Sequence, residues 1–169
     1  MQTIHAFGAG AGMTPQEFVE RHPHPFVVYA GGALRRVEPG KTRGLTVDRL
    51  VIEGTAATRH QAISDNFLVG ELAPADPVEK VVTIGVSSSC DLTVNDSSLS
   101  KRHAWFDRVG SEWRVWDNDS VSGTQVNGEP VKPGAPRVLI EGDRITLGYV
   151  DLTYLTTSAF HQLVKALFA

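Results

Sequence analysis

From Val81 onward the chain is a succession of short apolar runs: "VVTIGV", "DLTV", "HAWFDRV", "EWRVWD", "TQV", "RVLI", "DRITLG" and "VDLTYL". Turn signals separate them at close spacing, which predicts an all-β sandwich or barrel. In "HAWFDRV", Ala104 and Phe106 alternate with Trp105 and Asp107, so one face of that strand should be packed and the other solvated. Asn127-Gly128 is a two-residue hairpin signal, because both positions of such a turn need φ > 0. Upstream, "FVVYA" (26–30) reads as a strand before a Gly-Gly turn at 31–32, and "LTVDRLVIEG" (45–54) holds a second β-rich run. "TAATRHQAISDN" (55–66) fits either a short helix or a loop. "FLVGEL" (67–72) is a strand broken by "APADP" (73–77).

Two segments change period. Thr14, Pro15 and Glu17 spell a helix start with a capping box, and Met13 and Phe18 stand at the positions of a hydrophobic staple. Pro23 and Pro25 stop that helix early. Near the C-terminus, Phe160, Leu163, Val164, Leu167 and Phe168 form one helical stripe, with Thr157 or Ser158 as cap. The stripe is expected to dock on the sandwich. Residues 1–12, small and glycine-rich, are expected to be mobile. The divisions that follow are an N-terminal extension at 1–66 (short helix plus strands), the β-domain at 67–156, and a C-terminal helix at 157–169.

Composition narrows the class. The 169 residues are 41% hydrophobic and 21% charged, the profile of a soluble globular protein. A net charge of −3 argues against bulk binding to nucleic acid or anionic membrane, so any anion site must be local. The single cysteine, Cys90, excludes an internal disulfide and is expected as a buried hydrophobe. No run approaches the ~18 apolar residues of a spanning helix. The start of the chain lacks the pattern of a secretory signal, and a cytoplasmic location is expected.

Several motifs fail on context. "GAGAG" (8–12) lacks the spacing and the strand–helix setting of a dinucleotide site. His22 and His24 have no ligand-spaced partners for a metal. Ser87, Ser88 and Ser89 lie in no nucleophile elbow. No enzyme, metal or cofactor is therefore expected.

The informative set is Gly85, then "SLSKRH" (98–103), then "DNDSVSGTQVNG" (117–128). With "CDLTVND" and "EGDRITLG", it resembles the forkhead-associated (FHA) domain over roughly residues 67–156. Ser100, His103, Asp117, Ser120, Gly123, Thr124, Val126, Asn127 and Gly128 fall on the family pattern. The resemblance implies an FHA-like β-sandwich that binds phosphothreonine peptides through loops at one end. It implies phosphate contacts from Ser100 and Lys101, and peptide contacts from Ser122 and from the 86–89 loop through Ser87. Arg102 is a further candidate that alternation sends to the opposite side. Gly85, His103, Gly123, Thr124, Asn127 and Gly128 are implied as supports that shape the loops.

Two departures fall on the ligand side of that pattern. Val86 stands where the family has a binding arginine, and Val121-Ser122 stands for threonine–asparagine. Charge-assisted hydrogen bonds contribute about 1.5–3 kcal/mol, so the loss of that arginine alone weakens binding by roughly tenfold to a hundredfold. Arg43, Arg59 and Arg114 are candidate replacement cations. Two functions follow: an adaptor for a protein phosphorylated by a Ser/Thr kinase, or a phosphate-independent interaction module on the same scaffold.

Overall fold

The computed structural model describes residues 1–29, 34–36, 50–52, 67–76 and 78–168. The expected Gly-Gly turn at 31–32 and the ambiguous segment 55–66 lie outside them. Two sheets face each other. One has seven strands in the order β1-β5-β2-β14-β13-β10-β11, formed by Gln2–Thr3 (β1), Phe26–Tyr29 (β2), Leu68–Glu71 (β5), Thr124–Val126 (β10), Glu129–Pro130 (β11), Arg144–Leu147 (β13) and Val150–Leu155 (β14). The other runs β12-β9-β8-β6-β7, from Val81–Gly85 (β6), Leu92–Thr93 (β7), Ala104–Val109 (β8), Glu112–Asp117 (β9) and Arg137–Val138 (β12). Leu34–Arg36 (β3) and Leu50–Ile52 (β4) pair antiparallel with each other.

The alternation read from the sequence sorts the core. Ala104, Phe106, Trp113 and Val115 point between the sheets and meet Val126, Ile145 and Leu147 from the other side. Their neighbours Trp105 and Trp116 lie on the outer face of the five-stranded sheet, stacked at 4.7 Å and 7°. Asn127 and Gly128 adopt φ of 53° and 84°, so the β10–β11 hairpin turns as its dipeptide requires.

Residues 1–29 are built into the sandwich and the helical layer on it, whereas β3 and β4 pair only with each other among the described residues. β2 lies inside the larger sheet, paired with both β5 and β14. Its run "FVVY" shows no alternation because both faces are covered. Val27 enters the core between the sheets, whereas Phe26 and Val28 face a second core formed with the helices.

That second core corrects the expectation for residues 1–12. They form a short strand and a 3-10 helix, Ile4–Gly12, instead of a mobile tail. Ile4 and Phe7 anchor the helix in the apolar layer. Gly10 packs so tightly that a Cβ there would come within 2.4 Å of the Phe18 ring, and the buried His161 donates from Nε2–H to its carbonyl at 3.1 Å. The glycine-rich run is thus a close-approach surface. Helix α1, Pro15–Arg21, starts with the expected capping box: Glu17 N–H donates to Thr14 Oγ, and Thr14 N–H donates to Glu17 Oε2. Helix α2, Thr157–Phe168, lays Phe160 on Phe26 at 4.0 Å between ring centroids. Its cap is Thr156 rather than Thr157 or Ser158. Ala159 N–H donates to Thr156 Oγ at 3.2 Å, while Thr157 Oγ–H is used on the His24 carbonyl. Each buried phenylalanine of this layer contributes about 1.5–3 kcal/mol.

Candidate functional site

Four loops meet at one end of the sandwich: 85–91 after β6, 98–103 before β8, 118–123 between β9 and β10, and the turn at 148–149. The first two are zipped together. Val86 N–H donates to Ser100 O at 3.2 Å, Ser87 N–H to Lys101 O at 3.1 Å, and His103 N–H to Ile84 O at 2.8 Å. Gly85 permits this contact, because a Cβ there would lie 2.2 Å from the Lys101 carbonyl oxygen. No side chain fits against backbone at that distance.

Behind the loops stands a polar lattice. His103 is fully buried; its Nδ1 accepts from Ser100 N–H at 3.1 Å, so the proton sits on Nε2, which donates to Gly123 O at 2.9 Å. Gly148 N–H donates to the same carbonyl at 3.1 Å, tying the 148–149 turn into the lattice. Asp117 accepts from Ser120 Oγ–H at 2.6 Å, Thr124 Oγ–H at 2.6 Å and Ser120 N–H at 3.0 Å. Burial opposes its ionisation, but these hydrogen bonds outweigh burial and hold the carboxyl below its ordinary value. Ser120 Oγ also accepts from Gly123 N–H at 2.9 Å, where Gly123 has φ +80°. Asn127 joins the hairpin to the rest, donating from Nδ2 to Asp143 Oδ1 at 2.7 Å and accepting from Arg144 N–H at 3.0 Å.

The solvent side of the loops differs. Ser100 Oγ accepts from Val121 N–H at 3.0 Å, and its own O–H donates to no group among the described residues. Its hydrogen is free to point outward. Lys101, exposed, follows it. Ser122 is the reverse case: its O–H donates to Ser98 O at 2.9 Å, which leaves its oxygen lone pairs outward. Ser87 is held inside its own turn, sharing a 2.9 Å contact with Ser89 Oγ and accepting from Ser89 N–H at 3.2 Å. Cys90 is buried and donates from Sγ to Lys101 O at 3.2 Å; burial pushes its thiol up.

The cations divide. Arg102 lines a cavity of about 230 Å³ on the outer face of the five-stranded sheet with Thr83, Trp105 and Asn118, so it serves a different surface from Ser100 and Ser122. Arg114 is ion-paired with Asp107 and lies 5.3 Å from the centre of the Trp116 ring, on the same outer face. Arg43 and Arg59 lie outside the described residues. Val86 is half-buried, with its side chain packed on the core between the sheets. Sequence reasoning passed over Ser98, whose Oγ–H donates to Asp96 Oδ1 at 2.7 Å and whose Oγ accepts from Tyr149 N–H at 2.9 Å. The Asp96-x-Ser98 spacing, typical of a local side-chain turn, was the available signal.

The FHA domain family model matches residues 82–148, the span that contains all four loops. Residues 82–148 are an FHA domain. The glycogen accumulation regulator GarA of Mycolicibacterium smegmatis is 36% identical over 78 residues, 46% of this chain and 48% of that protein. The oxoglutarate dehydrogenase inhibitor of Corynebacterium jeikeium is 35% identical over 80 residues, 47% of this chain and 54% of that protein. The chain thus spans about half the length of the curated relatives it matches. Among solved structures, one from a structural and functional analysis of phosphothreonine-dependent FHA domain interactions covers 78% of this chain and 96% of its own, at 19% identity and a TM-score of 0.48. Outside residues 82–148 lie β2 and the helical layer, which complete the larger sheet and cover its outer face. No helix among the described residues is long and apolar enough to cross a membrane.

Proposed function

We propose that this chain is a non-catalytic adaptor that binds a partner protein phosphorylated on threonine, using the FHA loop end. A phosphothreonine brings about −1.5 to −2 charges and three strong acceptor oxygens. The observation that carries the reading is the unused Ser100 O–H: Val121 N–H occupies one lone pair of the oxygen, and the hydrogen has no acceptor among the described residues. One phosphate oxygen accepts from it, and the Lys101 ammonium supplies opposite charge. Ser122, its own hydrogen taken by Ser98, accepts a main-chain N–H of the peptide. His103 and Asp117 hold these groups in place without touching the ligand.

A second reading has its own support. Val86, packed on the core, offers no charge where the family places arginine, and Val121 and Tyr149 are 94% and 92% exposed. These favour an interaction that needs no phosphate. Titrating the chain with a library of phosphothreonine peptides beside their unphosphorylated counterparts separates the two. Phosphate-dependent binding supports the adaptor. Equal binding to both members of every pair removes it and leaves the phosphate-independent module.

A further inference from the structure

The two sheets differ on their outer faces. The helical layer covers the seven-stranded sheet, whereas Trp105 and Trp116, on the outer face of the five-stranded sheet, belong to neither core. They stand opposite each other on β8 and β9, with their rings stacked at 4.7 Å. Such a pair supports a sheet, but its two members are held differently. Trp116 donates from Nε1–H to Asp107 at 3.1 Å, and Arg114, itself paired with Asp107, lies 5.3 Å from its ring centre. The Trp105 indole N–H has no acceptor among the described residues, and its side chain lines the cavity of about 230 Å³. Glu79 precedes β6 and Arg102 precedes β8; the strands are antiparallel, so the two charges mark opposite ends of that cavity. Val81, Thr83 and Trp105 lie between them. Thr83 is closed to a ligand, because its N–H and O–H both donate to Asp91 Oδ2 at 2.7 Å. The charges within the face are thus used by the fold. Those at the ends are not: neither the Glu79 nor the Arg102 side chain has an ion-pair or hydrogen-bond partner among the described residues.

We propose that this face is a second docking surface, which takes an extended segment of a partner protein carrying an apolar side chain between one acidic and one basic residue. The apolar side chain lies on Trp105, the acidic residue meets Arg102, and the basic residue meets Glu79. No phosphate is needed, and the surface is separate from the Ser100 loop end. The occupant follows from charge: a segment with two like charges would meet repulsion at one end, whereas one of each sign is attracted at both. Tryptophan and arginine are the residue types that most often dominate the affinity of an interface. Trp105 sits on a strand paired on both sides, so little order remains to be lost when it is covered. It stands opposite Thr83, four residues after Glu79, and three residues after Arg102. At about 3.3 Å per residue, the two charges of the segment fall within about four residues of its apolar side chain.

The test uses the full chain and unphosphorylated fluorescent peptides with a central leucine in a glycine–serine background. One charged residue is placed one to four positions to each side, as glutamate with lysine, two glutamates or two lysines. The mixed peptides should bind about fivefold tighter than either like-charged set, and added salt should shrink that advantage. Replacing the leucine by glycine should weaken binding about tenfold. The Trp105 indole N–H resonance should shift on binding. Glu79→Lys should move the preference to the two-glutamate peptides, and Arg102→Glu to the two-lysine peptides. Both side chains are exposed, so thermal unfolding of these variants should match the parent. Equal binding of the three charge sets, or a preference that neither variant moves, overturns the proposal. So do shifts confined to Ser100 and Ser122, which place the peptide at the loop end. A Trp105 resonance that moves with protein concentration alone makes the occupant a second copy of the chain and overturns it as well. None of these outcomes bears on phosphate binding at Ser100.

Discussion

The two sides of the recognition loops obey different rules. On the inner side, His103, Asp117, Ser120, Thr124 and Asn127 are engaged in hydrogen bonds to one another's loops. On the outer side, Ser100 keeps an unused hydrogen, Ser122 keeps unused lone pairs, and Val121 and Tyr149 stand in solvent. A buried polar group left without a partner costs about 1–3 kcal/mol, so the inner lattice is fixed by folding alone. The outer side is held less completely. The arginine-to-valine and asparagine-to-serine departures at 86 and 122 fall there, where Val86 packs on the core and Ser122 is tied to the Ser98 carbonyl, so each has a structural contact beside any contact with ligand.

Substitutions on the inner side should therefore act on stability. Gly85→Ala has the largest expected effect, because the new Cβ meets the Lys101 carbonyl at 2.2 Å and the 85–87 and 100–103 segments must separate. A loss of about 3 kcal/mol or more is expected in denaturant unfolding. His103→Ala should cost about 2–4 kcal/mol, since it leaves a cavity and strips Ser100 N–H of its acceptor. An unchanged unfolding midpoint in either variant would show that the loops are held by something else.

The Asp117 lattice has a pH signature. Its carboxyl lies lower in the folded chain than its ordinary value, so the unfolded chain binds the proton first as pH falls. The stabilisation is complete above the unfolded pKa, about 4, and is lost as pH drops through the lower folded value. Asp117→Asn should flatten that acid limb of stability against pH. A limb as steep as the parent's would assign the effect elsewhere, with Asp107, also lowered, the next candidate. On the outer side, Val86→Arg removes an apolar side chain that packs on the core, and should cost about 1 kcal/mol in unfolding. It should tighten phosphothreonine-peptide binding by about tenfold, the effect of one charge-assisted hydrogen bond. No gain would mean that the loop has been reshaped around the valine.

Local signals were legible in the sequence. The Thr14–Glu17 capping box, the Asn127-Gly128 turn and the alternation of "HAWF" each need only a few neighbouring residues, and each stands in the structure. Long-range closure was not legible. Ile4 and Phe7 look like members of a loose glycine-rich tail until Phe18 and Phe160 are brought against them. "FVVY" gives no hint that it lies inside a sheet completed by residues more than a hundred positions later. At the site, the motif spacing located Ser100, His103 and Gly123. Ser100 Oγ accepts from Val121 N–H, and Arg102 lines the cavity beside Trp105; neither is written in spacing.

The central claim is that the Ser100 hydroxyl is the donor this FHA domain offers to phosphate. Titrating parent and Ser100→Ala with the tightest phosphothreonine peptide and its unphosphorylated form tests it directly. The expected result is a loss of at least about tenfold for the phosphopeptide alone, with thermal unfolding close to the parent's. Undiminished phosphate-dependent binding by Ser100→Ala would contradict it.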